Sequence, residues 1–238
     1  MYAMISHHDS KYQPLADLTW EDNKTEYAAR HGYGMYTRTE NFVTQTPNGL
    51  MTGFEKIYIA KEILSDSPEV EWLWWTGTDS MITNMSTKIE DRVDNNYHFM
   101  ICMDINGINA DSFLCRNTPE AIAFLDRVLS LEEDCMKWWD TEQRAIARLL
   151  GFPGTGDVDW KNVTEIKVCD EYKNIVKLLP QRYMNSFNYT LYREYKDHRD
   201  KLGVNGNWSF GDWLIHWPAC SMEARIQLYN NYKEQVVR

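Results

Sequence analysis

Apolar positions gather at the start of the chain, where Tyr2 to Ser6 make a continuous run of strand length. His7-His8-Asp9-Ser10 then reads as the loop at its carboxyl end. A helix is predicted from about Pro14 to Arg30, with Gly32 as its stop. Phe54, Ile57, Ile63 and Leu64 recur at helical spacing and predict a second helix, closed by Ser65 to Pro68. Glu71 to Thr76 carries Trp72-Leu73-Trp74-Trp75, apolar enough for a strand buried on both faces. Tyr97 to Met103 is another run of strand length, and Ser112 to Cys115 a shorter one. Thr118 and Pro119 are start signals for a long helix to about Lys137, followed by a shorter one from Thr141 to Leu150. Asp212 to Trp217 predicts a late strand and Met222 to Val236 a final helix.

Strands alternate with helices in the first half, and helices dominate afterwards. That order predicts an α/β sandwich with a mainly parallel sheet. No repeat, low-complexity tract or linker divides the chain, so residues 1–238 read as one domain. Ligands of such sheets sit at the carboxyl ends of strands, which directs attention to the loop after Trp75.

Composition narrows the partners. The net charge of −10 argues against a nucleic-acid backbone or an anionic membrane, because no basic stripe offsets the repulsion. A nucleotide ligand stays open, since a divalent cation can screen a diphosphate locally. The 10 Trp, 14 Tyr and 8 Phe suit sugar rings as well as a core, and core is the default for any one of them. Five scattered cysteines without a CxxC pair read as reduced, hence a soluble protein of cytoplasmic type. No apolar run reaches the length of a membrane span, and the N-terminus lacks signal-peptide character. The N-x-S/T sequons at Asn23, Asn84, Asn162, Asn188 and Asn207 are then chance matches.

Four polar segments carry candidate chemistry. In Thr76-Gly77-Thr78-Asp79, a lone carboxylate follows a buried strand, suited to Mn²⁺ or Mg²⁺ bridging two phosphates, although taken alone a helix N-cap is the better reading of it. Asp104 to Phe113 holds Asn106 and Asn109, whose amides match sugar hydroxyls, or else forms a hairpin loop with Asx turns. Asp140-Thr141-Glu142-Gln143 places a carboxylate and an amide where positive charge at an anomeric carbon could be stabilised, or simply caps a helix. His216, ending an apolar strand, is a metal ligand or a hydrogen-bonded core histidine.

Taken in order, these segments resemble the retaining GT-A glycosyltransferases of family thirty-four, which includes fungal galactosyl and mannosyl transferases and plant xylosyltransferases. The family's W-W-x-D-x-D, N-A-G-S-F, W-x-D-Q-x-A and G-D-x-x-x-H motifs are similar to Trp74–Asp79, Asn109–Phe113, Trp139–Ala145 and Gly211–His216. Asn23-Lys24, Tyr27-Ala28 and Arg30 to Tyr33 resemble its N-K-x-x-Y-A-x-x-H-G-Y helix, and Gln181 to Ser186 its N-S segment. The likeness runs from Met1 to about Ser221. It implies a GT-A, Rossmann-like α/β/α sandwich and transfer of a sugar from a nucleotide-sugar, a UDP-sugar on family grounds, to a glycan hydroxyl. Asp79 and His216 would hold Mn²⁺ or Mg²⁺ on the donor diphosphate. Ser6, Lys56, Thr76, Gly77, Thr78, Asn106 and Asn109 would bind the donor, with Asn106 and Asn109 on its sugar. Glu142 and Gln143 would lie at the anomeric carbon. Retention fits either same-face attack or a transient covalent carboxylate.

Three departures stand out. Gly77 replaces the first Asp of D-x-D. Asp111 replaces the glycine of N-A-G. Ala219 and Ser221 stand where the family has Gly and a basic residue, a loss of phosphate grip that Arg225 would offset. Gly77 supports the alternative of a non-catalytic or weakly hydrolytic relative that binds a nucleotide-sugar or glycan without transferring.

Overall fold

The computed structural model describes residues 1–39, 53–188 and 199–238. The tail of the Asn188 sequon lies outside the described residues. Six strands form the central sheet: β1 (Tyr2–His7), β2 (Gly34–Arg38), β3 (Trp72–Thr76), β5 (Phe99–Asp104), β6 (Gly107–Arg116) and β7 (Val176–Pro180), in the order β2-β1-β3-β6-β5-β7. β6 runs antiparallel to both neighbours, and every other pair is parallel. The expected mainly parallel sheet is therefore present, with one reversed strand. β6 is also longer than the Ser112–Cys115 run predicted. The polar stretch 107–111, with its hairpin signals, is strand, because its backbone is held in the ladder to β5 and β3.

The alternation of side chains in β3 builds two cores. Trp72 and Trp74 face Trp20, Tyr27, Met100, Leu114 and Trp213. Leu73 and Trp75 face helices α3 (Glu55–Asp66), α4 (Pro119–Leu129) and α6 (Thr141–Leu150). All four residues of this run are buried, as a strand covered on both sides requires.

The helices predicted from the sequence exist, with corrected bounds. The first is an α-helix, α1 (Gln13–Leu18), a π-helical turn over Thr19–Lys24, and α2 (Thr25–His31), ended by Gly32 at φ +71°. The helix expected to reach Lys137 stops at Leu129, and a short α5 (Glu132–Cys135) follows. At its start the Thr118 hydroxyl accepts from the Ala121 amide, with Pro119 in the first turn. Replacing Thr118 by Ala should cost about 1 kcal/mol of stability, measurable by urea unfolding. The final helix, α7, spans Met222–Tyr232. All five cysteines are free. Among the described residues no helix is long and apolar enough to cross a membrane.

A second sheet, β4 (Ser80–Ile82), β9 (Leu214–His216) and β8 (Ser186–Phe187), has the order β4-β9-β8. Its register pairs Ser80 with His216, and the Trp217 amide donates to the Asp79 carbonyl at 3.0 Å. Residues far apart in sequence thus become neighbours at the carboxyl end of β3.

Candidate functional site

The loop from Gly77 to Ser80 is fixed from behind by the π-helical turn. Thr19 Oγ1 donates to the Thr78 carbonyl at 2.6 Å, and Lys24 Nζ donates to the carbonyls of Gly77 (2.9 Å) and Ser80 (2.7 Å). Asn23 binds both backbone groups of Ile82. The extra residue of a π turn explains how side chains at 19, 23 and 24 all face this loop. Lys24 is fully enclosed; burial lowers its pKa to about 7, although Asp79 and Asp111 pull the other way.

On the open side of the loop, Asp79, Asp111 and His216 each present a ligand atom within 4.8 Å of one another. His216 Nε2 lies 2.6 Å from Asp111 Oδ2 and 3.4 Å from Asp79 Oδ1. Despite that closeness Nε2 makes no hydrogen bond: neither oxygen lies along the direction of a ring N–H. Nδ1 is 2.7 Å from Asn185 Oδ1. With that oxygen accepting, Nδ1 carries a proton, so a cation that displaces the proton from Nε2 would meet the tautomer of a metal-ligating histidine. Burial opposes the imidazolium, but Asp79 and Asp111 outweigh it and raise the His216 pKa to about 10. Burial also pushes the Asp111 carboxyl up, and His216 and Lys56 overcome it, so its pKa is lowered. Two carboxylates crowded on one imidazole nitrogen form a donor set fit for a hard or borderline divalent cation.

Asp111 reaches this point through strand pairing. Thr76 pairs with Ser112 in the β3–β6 ladder, and on the next rung the Gly77 amide donates to the Asp111 carbonyl at 3.0 Å. A Cβ on Gly77 would fall 2.9 Å from Asp79 Oδ1 and 3.2 Å from Asp111 Cγ. The Asp111 carboxylate therefore fills the space that a side chain at position 77 would occupy. Arg225 comes from α7, its Nη2 donating to Asp79 Oδ2 at 2.6 Å and its Nη1 to the Tyr12 hydroxyl.

A cavity of about 360 Å³ extends from this cluster. Among the residues expected at the site, Lys56, Asn106, Asn109, Glu142, Gln143 and His216 line it. Lys56 Nζ is 2.8 Å from Glu142 Oε1 and 3.7 Å from Asp111 Oδ1; burial would lower its pKa, and these acids raise it. The Gln143 amide is held by the Ala110 N–H and by the Thr155 hydroxyl. Asn109 donates to Asp104, whose pKa burial raises to about 6 against that bond. Ser6, Thr76 and Thr78 are buried behind the loop: Ser6 Oγ meets Thr78 Oγ1 at 3.3 Å, and Thr76 Oγ1 meets Ser80 Oγ at 3.0 Å. Their side chains shape the Gly77–Asp79 turn and do not line the cavity.

A sequence profile of the galactosyl transferase GMA12/MNN10 family matches residues 3–95 and 93–227. The chain belongs to this family. Similar proteins include the probable alpha-1,6-mannosyltransferase MNN10 of Saccharomyces cerevisiae, 24% identical over 54% of this chain and 41% of that protein. Another is the probable alpha-1,2-galactosyltransferase gmh2 of Schizosaccharomyces pombe, 22% identical over 85% of this chain and 60% of that one. The chain thus spans roughly two-fifths to three-fifths of these relatives' lengths. Among solved structures, a glycosyltransferase involved in glycosylating the major capsid of PBCV-1 aligns with TM-score 0.66 at 14% identity, covering 96% of this chain and 99% of that one. The galactosyltransferase LgtC aligns with TM-score 0.52 at 11% identity, covering 98% and 95%. The fold is the GT-A glycosyltransferase fold that these structures share.

Within this GMA12/MNN10-family chain, Asp111 is the site residue that motif reasoning misjudged. Position by position it counts as a departure, and so does Gly77. A carboxylate gained one cross-strand neighbour away from a carboxylate lost was the signal available. The roles of Thr19, Asn23 and Lys24 were hidden for another reason: nothing in a one-dimensional pattern marks a π turn.

Proposed function

We propose that this GMA12/MNN10-family chain is a metal-dependent glycosyltransferase that moves a sugar from a nucleotide-sugar, a UDP-sugar by family likeness, to a glycan hydroxyl with retention. The observation that carries the reading is the meeting of Asp79, Asp111 and His216 at one end of a cavity whose wall holds Glu142 and Gln143. A bound Mn²⁺ or Mg²⁺ would act as a Lewis acid on the leaving diphosphate. Asp79, Asp111 and His216 would hold it, and the Arg225 guanidinium, poised on Asp79, would meet phosphate oxygens. Asn106 and Asn109 bind hydroxyls of the donor sugar. The Glu142 carboxylate, 2.8 Å from Lys56 Nζ, and the fixed Gln143 amide face the anomeric carbon as it gains positive charge. The bond from that carbon to the diphosphate breaks, a bond to the acceptor oxygen forms on the same face, and the acceptor hydroxyl's proton passes to the departing diphosphate.

Gly77 alone would favour a binding-only relative. Asp111 removes that argument, because it restores a second carboxylate to the cluster. The test is release of nucleotide from UDP- and GDP-sugars with Mn²⁺. The native chain should release it in a metal-dependent way, and Asp79→Ala should lower the rate at least about a hundredfold. Binding of the whole panel without turnover by the native chain would refute the enzymatic reading.

A further inference from the structure

Beside the catalytic cavity lies a second one of about 630 Å³. The two share Ile105, Asn106, Trp139 and Thr155 as walls. The second is lined by none of Asp79, Asp111 and His216, and the Thr155 hydroxyl on its wall accepts from the Gln143 amide at 3.2 Å, so it adjoins the Gln143 side of the site. On the ridge between them stands Trp139, with 74% of its surface exposed. Its open indole face matches the C–H face of a pyranose ring. Its neighbour Trp138 is differently placed, under the Arg144 guanidinium at 4.2 Å. Thr141, just after this pair, sits at φ +22°, an unfavourable backbone for a β-branched residue at the entry to α6. Around the cavity, Val158 adds apolar surface, while Thr155, Asp159 and Lys201 supply hydroxyl, carboxylate and ammonium groups. Aromatic and polar walls together are the chemistry of a saccharide site.

We infer that this second cavity is the acceptor subsite, taking an oligosaccharide of two or more units whose reactive residue stacks on Trp139 and presents its hydroxyl to the Glu142–Gln143 end. The inference rests on the transferase reading for the direction of transfer, but the binding it asserts does not require turnover. Its test therefore has two readouts. Saturation-transfer NMR with α-1,6-mannotetraose and with cellotetraose, at equal protein concentration, should show contact with the native chain and at least a tenfold weaker signal with Trp139→Ala; Trp139→Phe should recover most of it. With a UDP-sugar added, Trp139→Ala should lower the ratio of transfer to donor hydrolysis at least tenfold, mainly through a raised acceptor KM. If neither glycan binds the native chain, or if Trp139→Ala binds and partitions like the native chain, the subsite lies elsewhere. If both chains bind glycan as expected and neither releases nucleotide, the subsite stands and the transferase reading fails.

Discussion

Asp111→Gly should weaken Mn²⁺ binding about a hundredfold or more, and Gly77→Asp/Asp111→Gly should recover most of that loss. Positions 77 and 111 face each other on adjacent antiparallel strands, so a carboxylate on either can project to the same point. Removing a group that orients a metal ligand commonly costs tenfold to a hundredfold in affinity, and removing a ligand itself costs no less. Gly77→Asp on its own should also fail. Its Cβ would already sit 3.2 Å from Asp111 Cγ, and a third carboxylate would crowd beside Asp79 and Asp111 with no cation to spare for it. Titrating Mn²⁺ by electron paramagnetic resonance reads binding without reference to turnover, and nucleotide release reads the consequence. Native Mn²⁺ affinity in Asp111→Gly would show that the carboxylate is no ligand. A double variant no better than Asp111→Gly would show that the two positions are not interchangeable.

The exchange also marks where sequence reasoning gains and loses its hold. The β3 run of tryptophans, the capped start of α4 and the glycine stop after α2 were legible because each is a local consequence of burial, capping or chirality. Asp79 and His216 were legible as a pair only through the order of motifs; what unites them is the Ser80–His216 register of the small sheet, which no local signal announces. The edge strands β2 and β7 were missed because each is only partly buried and shows no clean alternation. The polar run 107–111 read as a loop, since Gly, Asn and Asp are turn formers; pairing with β5 and the Gly77 amide on the Asp111 carbonyl override that propensity. Ser6 and Thr76 were placed among donor contacts by the family likeness; their hydroxyls are enclosed and bonded to Thr78 and Ser80.

Enclosed bonds from the π-helical turn hold the Gly77–Ser80 loop in shape. Lys24→Met should lower Mn²⁺ affinity at least about tenfold, the cost typical of losing a group that orients a ligand. Methionine keeps the volume of the stem and removes the two bonds to the Gly77 and Ser80 carbonyls. Losing the bond to the Ser80 carbonyl costs up to about 1–3 kcal/mol, the Gly77 carbonyl still accepts from the Ser80 hydroxyl at 2.8 Å, and part of the cost is offset because an enclosed ammonium no longer has to be desolvated. Net stability should therefore fall by less than the two bonds suggest, while the loop loses the anchors that aim Asp79. Thr19→Val, which removes one bond to the Thr78 carbonyl, should act in the same direction and less strongly. Urea unfolding separates the two effects from each other, since a merely structural lysine would lower stability and leave the metal affinity of the folded fraction untouched. Wild-type Mn²⁺ affinity in folded Lys24→Met would mean that the strand ends and the Trp217–Asp79 backbone bond hold the loop without help from the π turn.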